Sequence, residues 1–350
     1  MLSVIIPVYN TAQTLDACVE SVLQQHVDEM QLLLVDDASP DEAPARCDAW
    51  AARHPQRIRV IHQPKNGGLS AARNAALDVV LREGKSDIIT FVDSDDRLSP
   101  NTYAPLLHLM AQHPDVDMLE YAYQEVPYIN KGVNGGNDEA NNGNDKVSMG
   151  CNNTDTAPTL YADAQRYWLQ AQAYTHTYAW NKLYRTALWR EVRFPVGRTF
   201  EDMHTLPRLL NACRQVLVTH QGTYLYTHNP NGITANASAT DWASLLEASL
   251  VAWQKYGQPM GHNQTPMVHN HNNNGHNQRR LADLYYMYVL NIQLQYCKLS
   301  GKAPTLPYRP VRLTALPRRF WLKGLLLRVL GVKGLAKVIA GLASPGLREA

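Results

Sequence analysis

Three carboxylates directly follow a predicted buried strand, and their type and spacing suit them for chemistry. Residues 88–92 (Ile-Ile-Thr-Phe-Val) are β-prone and mostly apolar, and Asp93-Ser94-Asp95-Asp96 comes immediately after them. In an open α/β sheet, ligands bind at the carboxyl ends of the strands. Crowded carboxylates repel each other unless a cation lies among them, and hard oxygen ligands suit Mg²⁺ or Mn²⁺, which commonly link one or two carboxylates to a substrate diphosphate. The alternative is a polar turn, because Asp-Ser-Asp-Asp is favourable turn chemistry after any strand.

A second pair of acids, Glu201 and Asp202, stands at the start of a predicted helix that runs from Glu201 to Cys213. Thr199 could cap this helix. A helix N-terminus favours an ionised carboxylate, and the ionised form is the one that a general base needs. Acids are also common in the first turn of a helix for dipole reasons alone, so a catalytic and a structural interpretation both stay open.

Strands and helices alternate ahead of the first acid cluster and predict how it is positioned. The predicted strands are residues 3–10, 31–35, 57–62 and 88–92, and the helical patterns between them are residues 15–23, 41–54 and 67–82. This order predicts an α/β fold with a mostly parallel central sheet and helices on both faces. No Gly-x-Gly-x-x-Gly follows the first strand, and no Gly-x-x-x-x-Gly-Lys-Ser/Thr loop occurs. The usual dinucleotide-binding and P-loop folds are therefore not indicated.

Six segments carry a resemblance to a known family: residues 3–10, 34–39, 66–74, 91–96, 180–185 and 194–202. The first four resemble the successive motifs of family 2 glycosyltransferases in order and spacing, and the last two resemble that family's acceptor-side segment. The resemblance covers roughly residues 1–235. It implies a GT-A fold, the Rossmann-like fold of nucleotide-diphospho-sugar transferases, with a nucleotide-sugar donor, a divalent metal and inversion at the anomeric carbon.

The resemblance also implies roles for the acids. Asp95 would be the first ligand of Mn²⁺ or Mg²⁺, with Asp93 or Asp96 supporting it directly or through water. The metal would neutralise the leaving diphosphate as a Lewis acid. The family motif places the catalytic base at Asp202, and Glu201 is the next candidate.

The same resemblance implies that the earlier motifs contain most of the residues that bind the donor. Asp37 would accept a hydrogen bond from N3–H of the base, which uracil and thymine have and cytosine lacks, so UDP or dTDP is favoured. Pro7 and Tyr9 would flank the base, with Tyr9 either a stacking face or an ordinary edge aromatic. The remaining predicted donor-site residues are Gly68, Arg73, Asp93 and Ser94.

Two side chains keep two interpretations each. Arg73, inside the glycine-opened helix, would order Asp95 or the nucleotide, or else be a surface cation. Trp180 would be a platform for sugar stacking, or else an anchor in the core.

The chain divides into three predicted regions. Residues 1–235 form the catalytic domain, with a nucleotide-sugar half (1–96), an acceptor half (97–235) and an Asn/Gly-rich insertion at about 130–156. Residues 236–310 form a helical extension with an Asn/His-rich insertion at about 261–278, and residues 311–350 form a basic amphipathic segment. Residues 215–219 and 223–227 predict a β-hairpin around Gln221-Gly222, and helices are predicted at about 241–256 and 279–299.

The last region has an unusual charge pattern. From Lys298 to Arg348 there are many Lys and Arg residues and no Asp or Glu, and Phe320, Trp321 and several Leu residues lie among them. No apolar run reaches the roughly 18 residues that a bilayer span needs. A basic amphipathic stretch of this kind predicts binding to an anionic membrane surface. The alternative is a helical pair that packs its apolar face on the catalytic domain.

Composition limits the cellular setting. Five widely spaced cysteines without a Cys-x-x-Cys indicate a reducing compartment, and no signal-peptide pattern precedes the strand at Ser3. We therefore expect a cytoplasmic protein, peripheral on the inner face of the cell membrane. A net charge of +2 without a basic-aromatic surface pattern predicts no nucleic-acid partner. The sequence does not indicate an oligomeric state.

Three functions remain. The first is an inverting glycosyltransferase acting on a saccharide or lipid-linked oligosaccharide acceptor. The second is a nucleotidyltransferase, which normally has a Gly- and Arg/Lys-rich phosphate loop after the first strand, where this chain has Val-Tyr-Asn-Thr at 8–11. The third is an inactive sugar-binding or nucleotide-binding scaffold, which is disfavoured because Asp37, Asp93, Asp95 and Asp202 are all present.

Overall fold

The computed structural model describes residues 1–127, 147–148, 157–228, 236–257 and 274–342. The chain forms two compact units. The first contains Met1–Ala164 and Tyr178–Ala235, and the second contains Gln165–Thr177 and Asn236–Ala350. Every predicted site residue lies in the first unit. The three-region division stays a prediction, and its two insertions lie largely outside the described residues.

The first half of the first unit has the predicted alternation of strands and helices. The strands are β1 (Leu2–Val8), β2 (Met30–Asp36), β3 (Ile58–His62) and β4 (Ile88–Phe91), and the helices are α1 (Leu15–Leu23), α2 (Ala43–Arg53) and α3 (Leu69–Glu83). The strands pair in parallel in the order β3-β2-β1-β4. Val8 pairs with Asp36, and Ile5 pairs with Phe91. The residues that follow β1, β2 and β4 therefore meet at one edge of the sheet, where the sequence places its candidate site.

The second half of the unit extends this sheet. It adds strands β5 (Arg97–Leu98), β6 (Val116–Val126), β7 (Val147–Ser148), β8 (Thr159–Tyr161), β9 (Lys182–Arg185) and β10 (Gln215–Thr227), and helices α4 (Tyr103–Gln112) and α6 (Glu201–Ala212). Helix α5 (Ala164–Gln170) belongs to the second unit from Gln165 onward. Strand β9 lies between β4 and β6 and is antiparallel to both, whereas β6 and β10 are parallel. The predicted α/β class with a mostly parallel sheet is confirmed.

The predicted hairpin around Gln221-Gly222 is wrong. Residues 215–227 form one strand, and both of its halves pair with β6 in the same parallel sense. The register shifts from Val218 opposite Glu120 to Thr223 opposite Ala122, so the chain bulges outward and returns without reversing. Gly222, at φ 72°, lies against Thr102, and a Cβ placed on it would be 3.0 Å from the Thr102 carbonyl oxygen. The glycine thus serves close packing, and it supplies no hairpin turn.

The second unit is helical, as predicted. Its main helices are α7 (Ala239–Tyr256), α8 (Asn274–Ser300) and α9 (Arg318–Leu342), and α9 is interrupted at Gly331, where φ is 64°. Trp168, Tyr285 and Trp253 form part of an aromatic core, and buried Asp283 bonds Arg309 and Arg312. Among the helices in the described ranges, none is long and apolar enough to span a membrane.

Candidate active site

The three acids in the loop after β4 differ in burial: Asp96 is buried, whereas Asp93 and Asp95 are half-buried. Asp96 is 1% exposed; its Oδ2 accepts from the Tyr224 hydroxyl at 2.8 Å and its Oδ1 from the Thr227 N–H at 2.6 Å. The Tyr224 hydroxyl in turn accepts from the Asp93 N–H at 3.0 Å. Asp96 therefore fastens the loop to β10, and both of its oxygens already have protein donors. The Asp93 side chain is 25% exposed, so Asp93 is the better candidate for a second ligand beside Asp95.

The side chain of Ser94 faces the start of α1. Its Oγ accepts from Thr11 Oγ1 at 2.9 Å, and its carbonyl oxygen accepts from Thr14 Oγ1 at 3.0 Å. The residue is 5% exposed. These bonds fix the backbone of the acid loop, and a direct contact between Ser94 and the donor stays a prediction.

The two remaining acids of the loop fit a hard divalent cation. Asp95 is half-buried, and the Asp93 side chain is 25% exposed. Within the part of the chain that the structure describes, no group of three or more His, Cys, Asp or Glu residues could hold a metal. One or two carboxylates, completed by diphosphate oxygens and water, are a common ligand set for Mg²⁺. The donor set thus matches a metal that binds together with its nucleotide.

Arg73, on α3, connects this loop to the second acid pair. Its Nη2 donates to Oδ1 of Asp93 at 2.9 Å, while its Nη1 donates to Oε1 of Glu201 at 2.9 Å and to Oδ1 of Asp202 at 3.1 Å. The side chain is 1% exposed, so the surface-cation alternative is wrong. In the acid loop it bonds Asp93, whereas the sequence suggested that it orders Asp95 or the nucleotide.

Glu201 and Asp202 occupy the first turn of α6, as predicted, but the helix begins differently. The residue before it is Phe200, with φ at 54°, and the predicted cap at Thr199 is wrong. A bulky residue at positive φ is unusual and marks a constrained entry into the helix. The second oxygen of Asp202 accepts from the Ala179 N–H at 3.1 Å. Both oxygens of the candidate base therefore have defined partners.

The donor side is built around Asp37. Its Oδ1 accepts from the Gly67 N–H at 2.9 Å and its Oδ2 from the Gly68 N–H at 2.7 Å, so the carboxylate orders the glycine turn that opens α3. Gly68 has φ at 81°, which favours glycine. Pro7 is buried in β1, and Tyr9, just beyond it, is 48% exposed. Each carboxylate oxygen keeps a further lone pair for a base N–H.

The sequence model of glycosyl transferase family 2 matches residues 3–158. Over these residues, the chain has the sequence of a glycosyl transferase family 2 protein. The glycosyltransferase GlyG of Streptococcus pneumoniae serotype 4 is 29% identical over 252 residues, covering 69% of this chain and 76% of that protein. The minor teichoic acid biosynthesis protein GgaA of Bacillus subtilis is 34% identical over 128 residues, covering 35% of this chain and 28% of that protein.

A solved structure confirms the GT-A fold of this glycosyltransferase. The crystal structure of S. aureus TarS in complex with UDP-GlcNAc matches this chain with a TM-score of 0.60 and 15% sequence identity. The match covers 97% of this chain and 90% of the TarS chain. At this identity the likeness establishes the fold. The roles of individual residues must be argued from the geometry of the site.

Burial dominates the electrostatics of the second acid pair. It raises the pKa of Asp202 above the usual 3.8, while Arg73 lowers it and Asp93 raises it further. Burial also raises the pKa of Glu201, and the charge on Asp202 adds to the effect. Burial of these carboxyls therefore opposes the ionised form that a helix N-terminus favours.

A buried ion pair that the sequence did not single out supports the base. Lys182 and Glu120 are both fully buried, with Nζ 3.3 Å from Oε2. The ammonium group of Lys182 also donates to the Tyr178 carbonyl at 2.8 Å. This bond fixes the backbone just before Ala179, the residue that donates to Asp202. The signal in the sequence was the position of Glu120 between the apolar residues Leu119 and Tyr121 in a strand.

Trp180 proves to be a core anchor. It is 4% exposed, and its ring stacks on Tyr178, Tyr224 and Tyr226. With so little of its surface open, Trp180 cannot be the platform on which a sugar stacks. Two of its tyrosine neighbours are more open than Trp180 itself.

Proposed function

We propose that this glycosyltransferase moves a sugar from a UDP-linked donor, with inversion, to a hydroxyl of a saccharide or lipid-linked oligosaccharide in the synthesis of a cell-surface polysaccharide. The observation on which the proposal rests is the Arg73 bridge, which joins Asp93, a proposed metal ligand, to the candidate base Asp202 and to Glu201 in one buried network. Support for the donor comes from TarS, solved with UDP-GlcNAc, and support for the setting comes from GgaA, named for minor teichoic acid biosynthesis.

Asp202 is proposed to act as the base. Its carboxylate takes the proton from the acceptor hydroxyl while that oxygen forms a bond to the anomeric carbon. The bond from the same carbon to the diphosphate oxygen breaks, and its electron pair leaves with UDP. Attack from the face opposite the leaving group inverts the anomeric centre. Asp95 and Asp93 would hold Mn²⁺ or Mg²⁺, which would supply positive charge to stabilise the leaving diphosphate.

The chain's own residues prepare the site for this step. Arg73 keeps Asp93 and Asp202 in place without being exposed to water itself. The Ala179 N–H aligns the other oxygen of Asp202. Pro7, Tyr9 and Asp37 are proposed to receive the uracil, and Gly68 and Ser94 are proposed to line the diphosphate path.

A peripheral position on the inner face of the membrane is also proposed. Helix α9 exposes apolar side chains, including Trp321 (49%), Leu322 (65%) and Val329 (73%). Arg318, Arg319, Arg328, Lys333 and Lys337 are exposed on the same helix. Exposed apolar and cationic groups together suit an anionic lipid surface.

Product analysis tests the proposed function. The full-length protein is incubated with Mn²⁺ and a panel of UDP-, dTDP- and GDP-sugars, and the released nucleotide is identified. Release of UDP supports glycosyl transfer. Release of pyrophosphate from a sugar phosphate and a nucleoside triphosphate would instead identify a nucleotidyltransferase, and binding of nucleotide sugars without turnover would identify an inactive scaffold.

A further inference from the structure

A cluster of aromatic rings lies between the acid loop and the candidate base. Trp180 is at its centre: its ring centroid is 4.6 Å from that of Tyr178 with planes 10° apart, 4.3 Å from Tyr224 at 22°, and 5.5 Å from Tyr226 at 9°. Tyr123 meets Trp180 edge-on, at 5.1 Å and 84°. Four of these five rings are thus nearly parallel.

The members of the cluster differ in exposure. Trp180, Tyr224 and Tyr123 are buried, whereas Tyr178 and Tyr226 are half-buried. Tyr224 and Tyr226 are two residues apart on β10, so they project from the same face of the strand. The buried rings therefore form a rigid support, and Tyr178 and Tyr226 are the two partly exposed rings of the cluster.

Tyr226 lies at the acid-loop end of the cluster. The residue after it, Thr227, donates its N–H to Asp96, and Tyr224 on the same face bonds both Asp96 and the Asp93 N–H. Burial raises the pKa of the Tyr226 hydroxyl to about 12, and the charges of the loop acids, Asp96 first, add to this effect. The Tyr226 ring is therefore close to the place where the diphosphate is proposed to bind.

Tyr178 lies at the other end of the cluster, beside the candidate catalytic base Asp202. Its carbonyl oxygen accepts from Lys182, and the residue after it, Ala179, donates its N–H to Asp202. The two half-buried rings thus lie on opposite sides of the proposed reaction site. Tyr226 is beside the acids proposed to face the leaving group, and Tyr178 is beside the base proposed to face the acceptor.

We propose that Tyr178 and Tyr226 form an aromatic shelf that holds the transferred sugar of the donor. The inference rests on the proposed function, because it needs a donor diphosphate at the acid loop and a base at Asp202. The attacked carbon must lie between these two groups, and so must the sugar ring that carries it. One face of a pyranose is lined by C–H groups and packs well on an aromatic ring.

The shelf also suits the transition state. Glycosyl transfer develops positive charge on the sugar ring, and the faces of aromatic rings attract cations. Tyr178 and Tyr226 therefore discriminate a bound nucleotide sugar from the bare nucleotide, since UDP lacks the transferred sugar that would pack on them.

Calorimetry with UDP and with UDP-GlcNAc separates these contributions. The proteins are the wild type, Tyr178→Ala, Tyr226→Ala and Tyr226→Phe, all with Mn²⁺. We expect the alanine variants to bind UDP as the wild type does and to bind UDP-GlcNAc roughly three- to tenfold more weakly. Tyr226→Phe keeps the ring and should keep most of the affinity. Tyr161→Ala, altering a half-buried tyrosine whose strand pairs with the other end of β10, is the control.

Thermal melting shows whether each variant is folded. If Tyr226→Ala is not folded, Tyr226→Leu, which keeps apolar volume against Trp180, is used in its place. UDP-glucose, UDP-galactose and UDP-GalNAc are titrated alongside UDP-GlcNAc, and the tightest-binding sugar is used. Equal weakening of UDP and UDP-sugar, or no weakening of either, would overturn the shelf while leaving the proposed function intact. A wild type that binds no UDP at all would contradict the proposed function itself.

Discussion

Nη1 of Arg73 donates to Oδ1 of Asp202 at 3.1 Å, across 129 positions of sequence. The same guanidinium reaches Asp93 and Glu201, so one buried cation is shared by three carboxylates. Charges buried in this way are stable only when they are paired and hydrogen-bonded. The position of the candidate base is therefore linked, through Arg73, to the position of a candidate metal ligand.

Replacing Arg73 tests that link. Arg73→Lys keeps the charge but loses the planar fork whose two nitrogens reach Asp93 on one side and the second acid pair on the other, and we expect turnover to fall roughly 10²-fold. Arg73→Met leaves the acids without a partner and should lower the free energy of unfolding by about 3–5 kcal/mol. Arg59→Lys, at an exposed pair with Glu83, is the matched control and should change neither quantity. A fully active Arg73→Lys protein would show that the network does not position the base.

Donor binding is expected to depend on metal through Asp95. Asp95→Asn should abolish transfer and weaken UDP binding in Mn²⁺, but it should hardly change UDP binding in EDTA, because the carboxylate acts through the metal. Calorimetric titration of UDP under both conditions measures this. If the wild type binds UDP equally well with and without metal, the metal assignment fails.

The acid limb of the pH–rate profile should reflect the buried acid pair. Burial raises the pKa of Asp202 above 3.8, and a protonated carboxyl cannot take the acceptor's proton, so turnover should fall as the pH drops through this raised pKa. Burial raises the pKa of Glu201 to about 7, so this carboxyl is already protonated at the pH where Asp202 takes up its proton, and Glu201→Gln should leave the limb in place. Profiles of kcat against pH for both proteins test this expectation, and a limb that moves clearly in the variant would contradict the assignment of the limb to Asp202.

Membrane binding is expected to use the exposed side chains of α9. Trp321→Ser with Leu322→Ser should weaken sedimentation with phosphatidylglycerol-containing vesicles, and rising salt should weaken wild-type binding because it screens the attraction. Val251→Ser, at a 63% exposed position on α7, is the control. Point changes are preferable to truncation before Leu313, because Leu327 and Leu335 of α9 are buried. Full-length protein that ignores such vesicles at low salt would rule out this surface.

The local pattern of apolar and polar residues was enough to predict the strands and helices that position the acid loop. The apolar spacing of α1 matches its buried positions, Leu15, Cys18, Val19 and Val22, and the acids stand at the ends of strands that the sequence also identifies. Parallel pairing then brings those ends to one edge without further information.

Contacts between distant segments could not be predicted in this way. Nothing local to Arg73 indicates that its partners lie at 93, 201 and 202. Gln221-Gly222 is favourable turn chemistry, but whether the chain reverses there or bulges depends on β6 and Thr102, which are remote in sequence. Likewise, Trp180 became a core anchor because Tyr178, Tyr224 and Tyr226 cover it.

The turnover of Asp202→Asn tests the central claim most directly. The variant keeps the shape of the side chain and an acceptor for the Ala179 N–H, but it lacks a proton-accepting carboxylate. With Mn²⁺ and the preferred UDP-sugar, UDP release should fall roughly 10²–10⁴-fold, while the affinity for UDP stays that of the wild type. A variant that keeps more than about a tenth of wild-type turnover would contradict the assignment of Asp202 as the base and make Glu201 the next candidate.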